Sequence, residues 1–167
     1  TPLEAKPFEV NLHDADGAPV NAWISAHRTA VAVDTALQHW PGKSSTDSSG
    51  HALIRSVAEG PVTLHVQSLK GRVRFTTTID TAVSTEVDLV LPETTPVQVK
   101  TRLPGSLPNY DLLDSGGVPL NMFGTLNGLL RLPPGTYRLR ARGTSNPTLH
   151  PIVVGTEPLA IDLGEYL

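Results

Sequence analysis

The chain of 167 residues is 39% hydrophobic and 17% charged with no low-complexity tract, a composition that supports one ordinary folded domain or two small ones. Its formal charge of −3 provides no basic footprint for nucleic acid or anionic lipid, and it holds no run of about eighteen apolar residues that would insert in a membrane. There is no Cys, which excludes disulfides, thiol catalysis and thiolate metal sites. The first residue is Thr and the one Met is Met122, the pattern of a processed mature chain or an excised piece, with any signal peptide outside the given sequence.

Taken in chain order, the apolar residues recur at every second position, the rhythm of half-buried strands. Phe8, Val10 and Leu12 begin it, followed by Val20, Ala22, Ile24 and Ala26. Residues 31–38 have a mixed apolar pattern that a helix or a strand could carry. The alternation resumes with Val62, Leu64 and Val66, then Val73, Phe75 and Ile79, then Val87, Leu89 and Leu91. It continues through Val97, Val99 and Leu103, Tyr137, Leu139 and Ala141, Ile152 and Val154, and finally Leu159, Ile161 and Leu163. Clusters such as DADGAP, TDSSG, DSGG, LPPG and TSNP separate these runs, and their Asp, Gly and Pro supply the φ values that turns need. Short strands with frequent turns predict an all-β protein, a sandwich or open barrel.

An internal repeat organises the expectation further. Asp14, Gly17, Pro19 and Asn21 in DADGAPVN stand at the same spacing as Asp114, Gly117, Pro119 and Asn121 in DSGGVPLN. Downstream, GHALIRSVAEGPVTLHV from Gly50 lines up with GLLRLPPGTYRLRA from Gly128. Common hairpin chemistry alone could make such loops look alike, but the ordered pair of matches predicts two tandem antiparallel β-sandwich modules of transthyretin-like or Ig-like type. The boundary is placed in LPETTP, whose two prolines should not continue a central strand. The modules are then 1–93, with a long excursion over 22–49, and a shorter 94–167.

The pieces DADGAPVNAWISA, TDSSGHALIRSVAEGPVTLHV and VDLVLPE cover most of the first module, and with them it resembles a carboxypeptidase regulatory-like domain, a branch of the transthyretin-like (prealbumin-like) sandwiches. The second module, with DSGGVPLN and LPPGTYRLRARG, looks like a shortened relative. The resemblance implies an accessory role in extracytoplasmic bacterial proteins, as a spacer, stabiliser or binding module. The excursion after Asn21 departs from it and is where a local function would sit.

Catalytic chemistry finds little footing. The six histidines, His13, His27, His39, His51, His65 and His150, include no HxH or HxxxH pair. His65, between Leu64 and Val66, reads as a solvent-side strand residue, and Asp14 and Asp47 read as turn caps, not as cation ligands. No GxSxG elbow is present. Hydroxyisourate hydrolases of the transthyretin-like group end in YRGS where this chain ends in GEYL, and its three tyrosines stand in contexts unlike the iron ligands of intradiol dioxygenases. The expectation is no enzyme activity, no cofactor and no metal.

The two tryptophans carry the functional expectation. The inward phase of Ala22, Ile24 and Ala26 sends Trp23, Ser25 and His27 to the opposite sheet face, where Trp23 needs cover from the long loop, the second module or another protein. Trp40, after His39 and before Pro41, could stack on a sugar ring, enter a partner's pocket or cap an open end of the sandwich. Trp23, His27, His39 and Trp40 are therefore the candidate residues for binding a partner or a glycan. The sequence reading is a non-catalytic extracytoplasmic module, periplasmic, secreted or on the cell surface, for protein–protein attachment or support of a larger complex. The alternatives are a carbohydrate-binding module and, behind it, a hydrolase on the same fold.

Overall fold

The computed structural model describes residues 5–28, 42–70, 72–100, 110–117, 120, 128–141 and 148–162. Every regular element among them is a β-strand, so the chain is all-β. It divides into two compact units, Thr1–Pro92 and Glu93–Leu167.

The first unit holds β1 (Lys6–His13), β2 (Ala22–Arg28), β3 (Gly42–Ser45), β4 (His51–Val57), β5 (Pro61–Ser68), β6 (Arg74–Asp80) and β7 (Glu86–Val90). They form two sheets, ordered β4-β1-β7 and β3-β2-β5-β6. The apolar phases of β1, β2, β4 and β5 turn to a shared core of Phe8, Val10 and Leu12, Ala22, Ile24 and Ala26, Ala52 and Ile54, and Val62, Leu64 and Val66, against which Phe75 and Ile79 of β6 and Val87 and Leu89 of β7 pack. At about 1.5–3 kcal/mol for each large aliphatic side chain taken fully out of water, this core is the main stabilising term. The stretch read as an excursion is therefore in part sheet, since β2 and β3 occupy its two ends and pair antiparallel. The helix-or-strand segment 31–38 lies outside the described residues.

Side-chain caps hold the turns. Asp14 Oδ1 accepts from the amides of Asp16 and Ala18, both at 2.9 Å, and Asp47 Oδ1 accepts from the Ser49 amide at 2.8 Å and the His51 amide at 3.1 Å. The Ser49 hydroxyl, followed by the amides of His51 and Ser49, holds the Asp47 carboxyl below its ordinary pKa. Thr46, just after β3, ties that end to the entry of β2: its hydroxyl donates to the Val20 carbonyl and accepts from the Ala22 amide, each at 2.8 Å.

The second unit holds β8 (Thr95–Lys100), β9 (Tyr110–Leu113), β10 (Gly128–Leu132), β11 (Gly135–Ala141), β12 (Leu149–Val154) and β13 (Leu159–Asp162). Its sheets are ordered β10-β8-β13 and β12-β11-β9, around a core that includes Val97, Val99, Leu112, Leu120, Leu132, Leu139, Ile152 and Ile161. Strand for strand, β8, β10 and β13 stand as β1, β4 and β7 do, and β9, β11 and β12 as β2, β5 and β6 do. In both units the first and last strands pair in parallel.

Two features of the sequence reading change. Pro96 was expected to interrupt a central strand, yet it is the second residue of β8, the middle strand of its sheet. The reason is register: Pro96 pairs with Arg131 on β10, while β13 joins only from Val97 onward, so the missing N–H falls where β8 has one neighbour. The Asp-x-x-Gly repeat also shifts. Both turns close alike, with Gly17 N donating to Asp14 O and Gly117 N to Asp114 O at 3.0 Å, and with Val20 N bonding Leu12 O and Leu120 N bonding Leu112 O. The first turn follows β1 and the second follows β9, which occupy different places in the strand order. The matched loops are the same local chemistry at non-equivalent positions, whereas the Gly50 and Gly128 segments do open equivalent connections, β4 to β5 and β10 to β11, each of which passes from one sheet of its unit to the other.

Tyr137 illustrates burial in the second core. Its hydroxyl donates to the Pro133 carbonyl at 2.6 Å, and burial, with Asp114 adding to it, pushes the phenol up to about 12 from an ordinary 10.0. The folded state thus favours the neutral phenol. Its contribution is complete below the unfolded value and declines as pH rises from 10.0 towards about 12, because the unfolded chain ionises first. Tyr137→Phe should cost about 1 kcal/mol at neutral pH for the lost hydrogen bond. Denaturant titrations across that alkaline window should show the gap between wild type and variant narrowing; a constant gap would contradict the assignment.

Candidate functional site

The outward face of the β3-β2-β5-β6 sheet is the most differentiated surface of the first unit. Antiparallel register sets its residues in rows, because directly opposed residues point to the same side. One row runs Ser45, Trp23, Gln67 and Arg74 from β3 to β6. The next places Ser25 beside His65 and His65 beside Thr76, and a third aligns His27, Thr63 and Thr78. With strands about 4.8 Å apart, Trp23 and Arg74 stand roughly 10 Å from each other.

Two environments share this face. Trp23 is 50% exposed, an outward indole at one end of it, while Ser25, Thr63 and His65 are buried. His65 is only 1% exposed, so its reading as a solvent-side residue is corrected. Alternation did place it on the face away from the core, but that face is covered at its centre. Two-residue periodicity reports which side a residue takes and not whether that side meets water. His27 is half-buried on the same face as Trp23. His39 and Trp40 lie outside the described residues.

Arg74 and Gln67 were not singled out from the sequence. Burial, with Arg72 second, lowers the Arg74 guanidinium's pKa from its ordinary value, though such a group stays charged at neutral pH. The Gln67 Oε1 atom is buried and accepts no hydrogen bond from the described residues. The alternating polar phase of Thr63, His65 and Gln67 was visible in the sequence, but the register that sets Gln67 between Trp23 and Arg74 was not.

The rest of the face offers contact chemistry. Among the described residues, no group of three or more His, Cys, Asp or Glu side chains is placed to hold a metal ion. A half-exposed indole flanked by an amide is suited to burying a partner's apolar or planar group and setting its orientation. No helix of the described chain is long and apolar enough to cross a membrane.

No protein-family model matches the chain, and no curated protein matches it. Among solved structures, it is similar to the Bacillus anthracis TIE protein, with a TM-score of 0.38 and 14% identity over 95% of this chain and 33% of the other. It is also similar to a minor pilin of Streptococcus agalactiae, at TM-score 0.36 and 10% identity over 95% of this chain and 94% of that one. A streptococcal ancillary pilin gives TM-score 0.34 and 14% identity over 97% and 62%. The chain spans about a third of the length of the first of these. Likeness at this level carries no argument about function.

Proposed function

We propose that the chain is a non-catalytic extracytoplasmic module of a bacterial surface or envelope protein, serving protein–protein attachment or structural support of a larger complex. The observation that carries the reading is Trp23, half-exposed on the outward face of the four-stranded sheet beside Gln67. Leaving so large an apolar surface in water is unfavourable by about 25 cal/mol for each Å² a partner could cover, and an aromatic anchor of this kind commonly dominates an interface. In this reading the first unit is a carboxypeptidase regulatory-like sandwich, the second a shorter one of the same type, and the partner is a protein of the same envelope.

Trp23→Ala should weaken capture of that partner at least tenfold while moving the melting temperature little, since half of the indole is in water already. Titration of the purified variant against the partner recovered with the wild type measures the first, and a thermal melt the second. A large drop in melting temperature with unchanged affinity would make Trp23 a packing residue and remove the basis of the reading. Glycan binding that survives in the first unit without any protein partner would favour the carbohydrate-binding alternative.

A further inference from the structure

The order of the strands has a mechanical consequence for each unit. In the first, β1 and β7 pair in parallel over five register pairs, Glu9 with Glu86 through His13 with Val90. The ladder is closed at both ends, by Glu9 N donating to Thr85 O and Leu91 N donating to His13 O, each at 2.9 Å. Asn11 Nδ2 donates across the same pair to Asp88 Oδ1 at 3.0 Å. Because the two strands run the same way, the chain enters β1 at one pole of this pair and leaves β7 at the other. In the second unit β8 and β13 repeat the arrangement over four pairs, and the Thr95 hydroxyl donates to the Gly155 carbonyl near the start of the ladder.

We propose that each unit is a tension-bearing link, in which a force entering through the first strand and leaving through the last is met by the parallel ladder in shear. In that geometry every rung is strained together, so none can fail alone. A force applied to both strands at the same pole would instead open the rungs one after another. The polypeptide leaving β7 runs through residues 91–94 directly into β8, so a load carried by one clamp passes along the main chain to the next. The proposal rests on strand order and not on the attachment reading above.

The absence of cysteine makes the test direct, because handles attach only where a thiol is introduced. In the full chain, Ala5→Cys with Glu93→Cys pulls β1 and β7 from opposite poles, whereas Ala5→Cys with Val83→Cys pulls them from the same pole. Ala5 and Glu93 are exposed and Val83 is 83% exposed in the turn before β7, so these positions tolerate handles. Single-molecule pulling should give an unfolding force several-fold higher for the first pair than for the second at the same loading rate. Thermal melts of both variants should match the wild type. Equal forces in the two geometries, with melts unchanged, would overturn the proposal.

Discussion

Gly50→Ala should destabilise the first unit by about 3–5 kcal/mol, the range where a left-handed backbone penalty and a steric collision combine. Gly50 has φ +79°, and a Cβ there would lie 2.3 Å from the Leu12 carbonyl oxygen and 3.2 Å from Pro19 Cβ. The obstructing atom is backbone, and it belongs to a strand held between β4 and β7, so it cannot swing aside. Moving it would also disturb the bond from Leu12 N to Gly50 O at 2.8 Å. Gly17 provides the internal comparison. Its φ is +83° but a Cβ would meet nothing within 4 Å, so Gly17→Ala should cost only the conformational term, about 1–2 kcal/mol. Urea denaturation of the two variants separates the effects; equal losses would mean that the contact with Leu12 is not restrictive.

Asp111→Ala should cost the second unit about 3–5 kcal/mol, the usual penalty for stranding one member of a buried ion pair. Arg140 Nη2 donates to Asp111 Oδ2 at 3.0 Å, with side-chain exposures of 16% and 2%. The two residues face each other in register across β9 and β11. Removing the carboxylate leaves a guanidinium with most of its water already stripped away. Arg140→Met should be destabilising too, because the carboxylate of Asp111 is then buried without that partner. The double variant Asp111→Leu with Arg140→Met should recover much of the loss, since an apolar pair of similar volume has no desolvation cost. Additive losses in the double variant, measured by denaturant titration, would contradict a pairwise account.

The all-β class was readable because the period-two rhythm returns in run after run and the turn residues between the runs are explicit. The strand phases were readable too: Ala22, Ile24 and Ala26 do enter the core and Trp23 does face outward. What the sequence could not convey was long-range register. His65 looked like a surface residue because its neighbours alternate correctly, yet the side it occupies is covered. The repeated Asp-x-x-Gly turns looked like equivalent landmarks because a local hydrogen-bond pattern carries no information about which strand precedes it. Pro96 looked like a strand breaker because nothing local indicates that β13 starts one pair later. At the candidate site, Trp23 and His27 were found by phase alone, whereas Gln67 and Arg74 join them only through pairing between distant strands.

The measurement closest to the central claim replaces Trp23 with a photo-crosslinking phenylalanine analogue in cells that make the native envelope, with Val83 replaced in the same way as the exposed comparison. The account predicts irradiation-dependent capture of one discrete protein from position 23 and none of that protein from position 83. Identical products from both positions, or no protein product from position 23 in correctly folded chain, would contradict it.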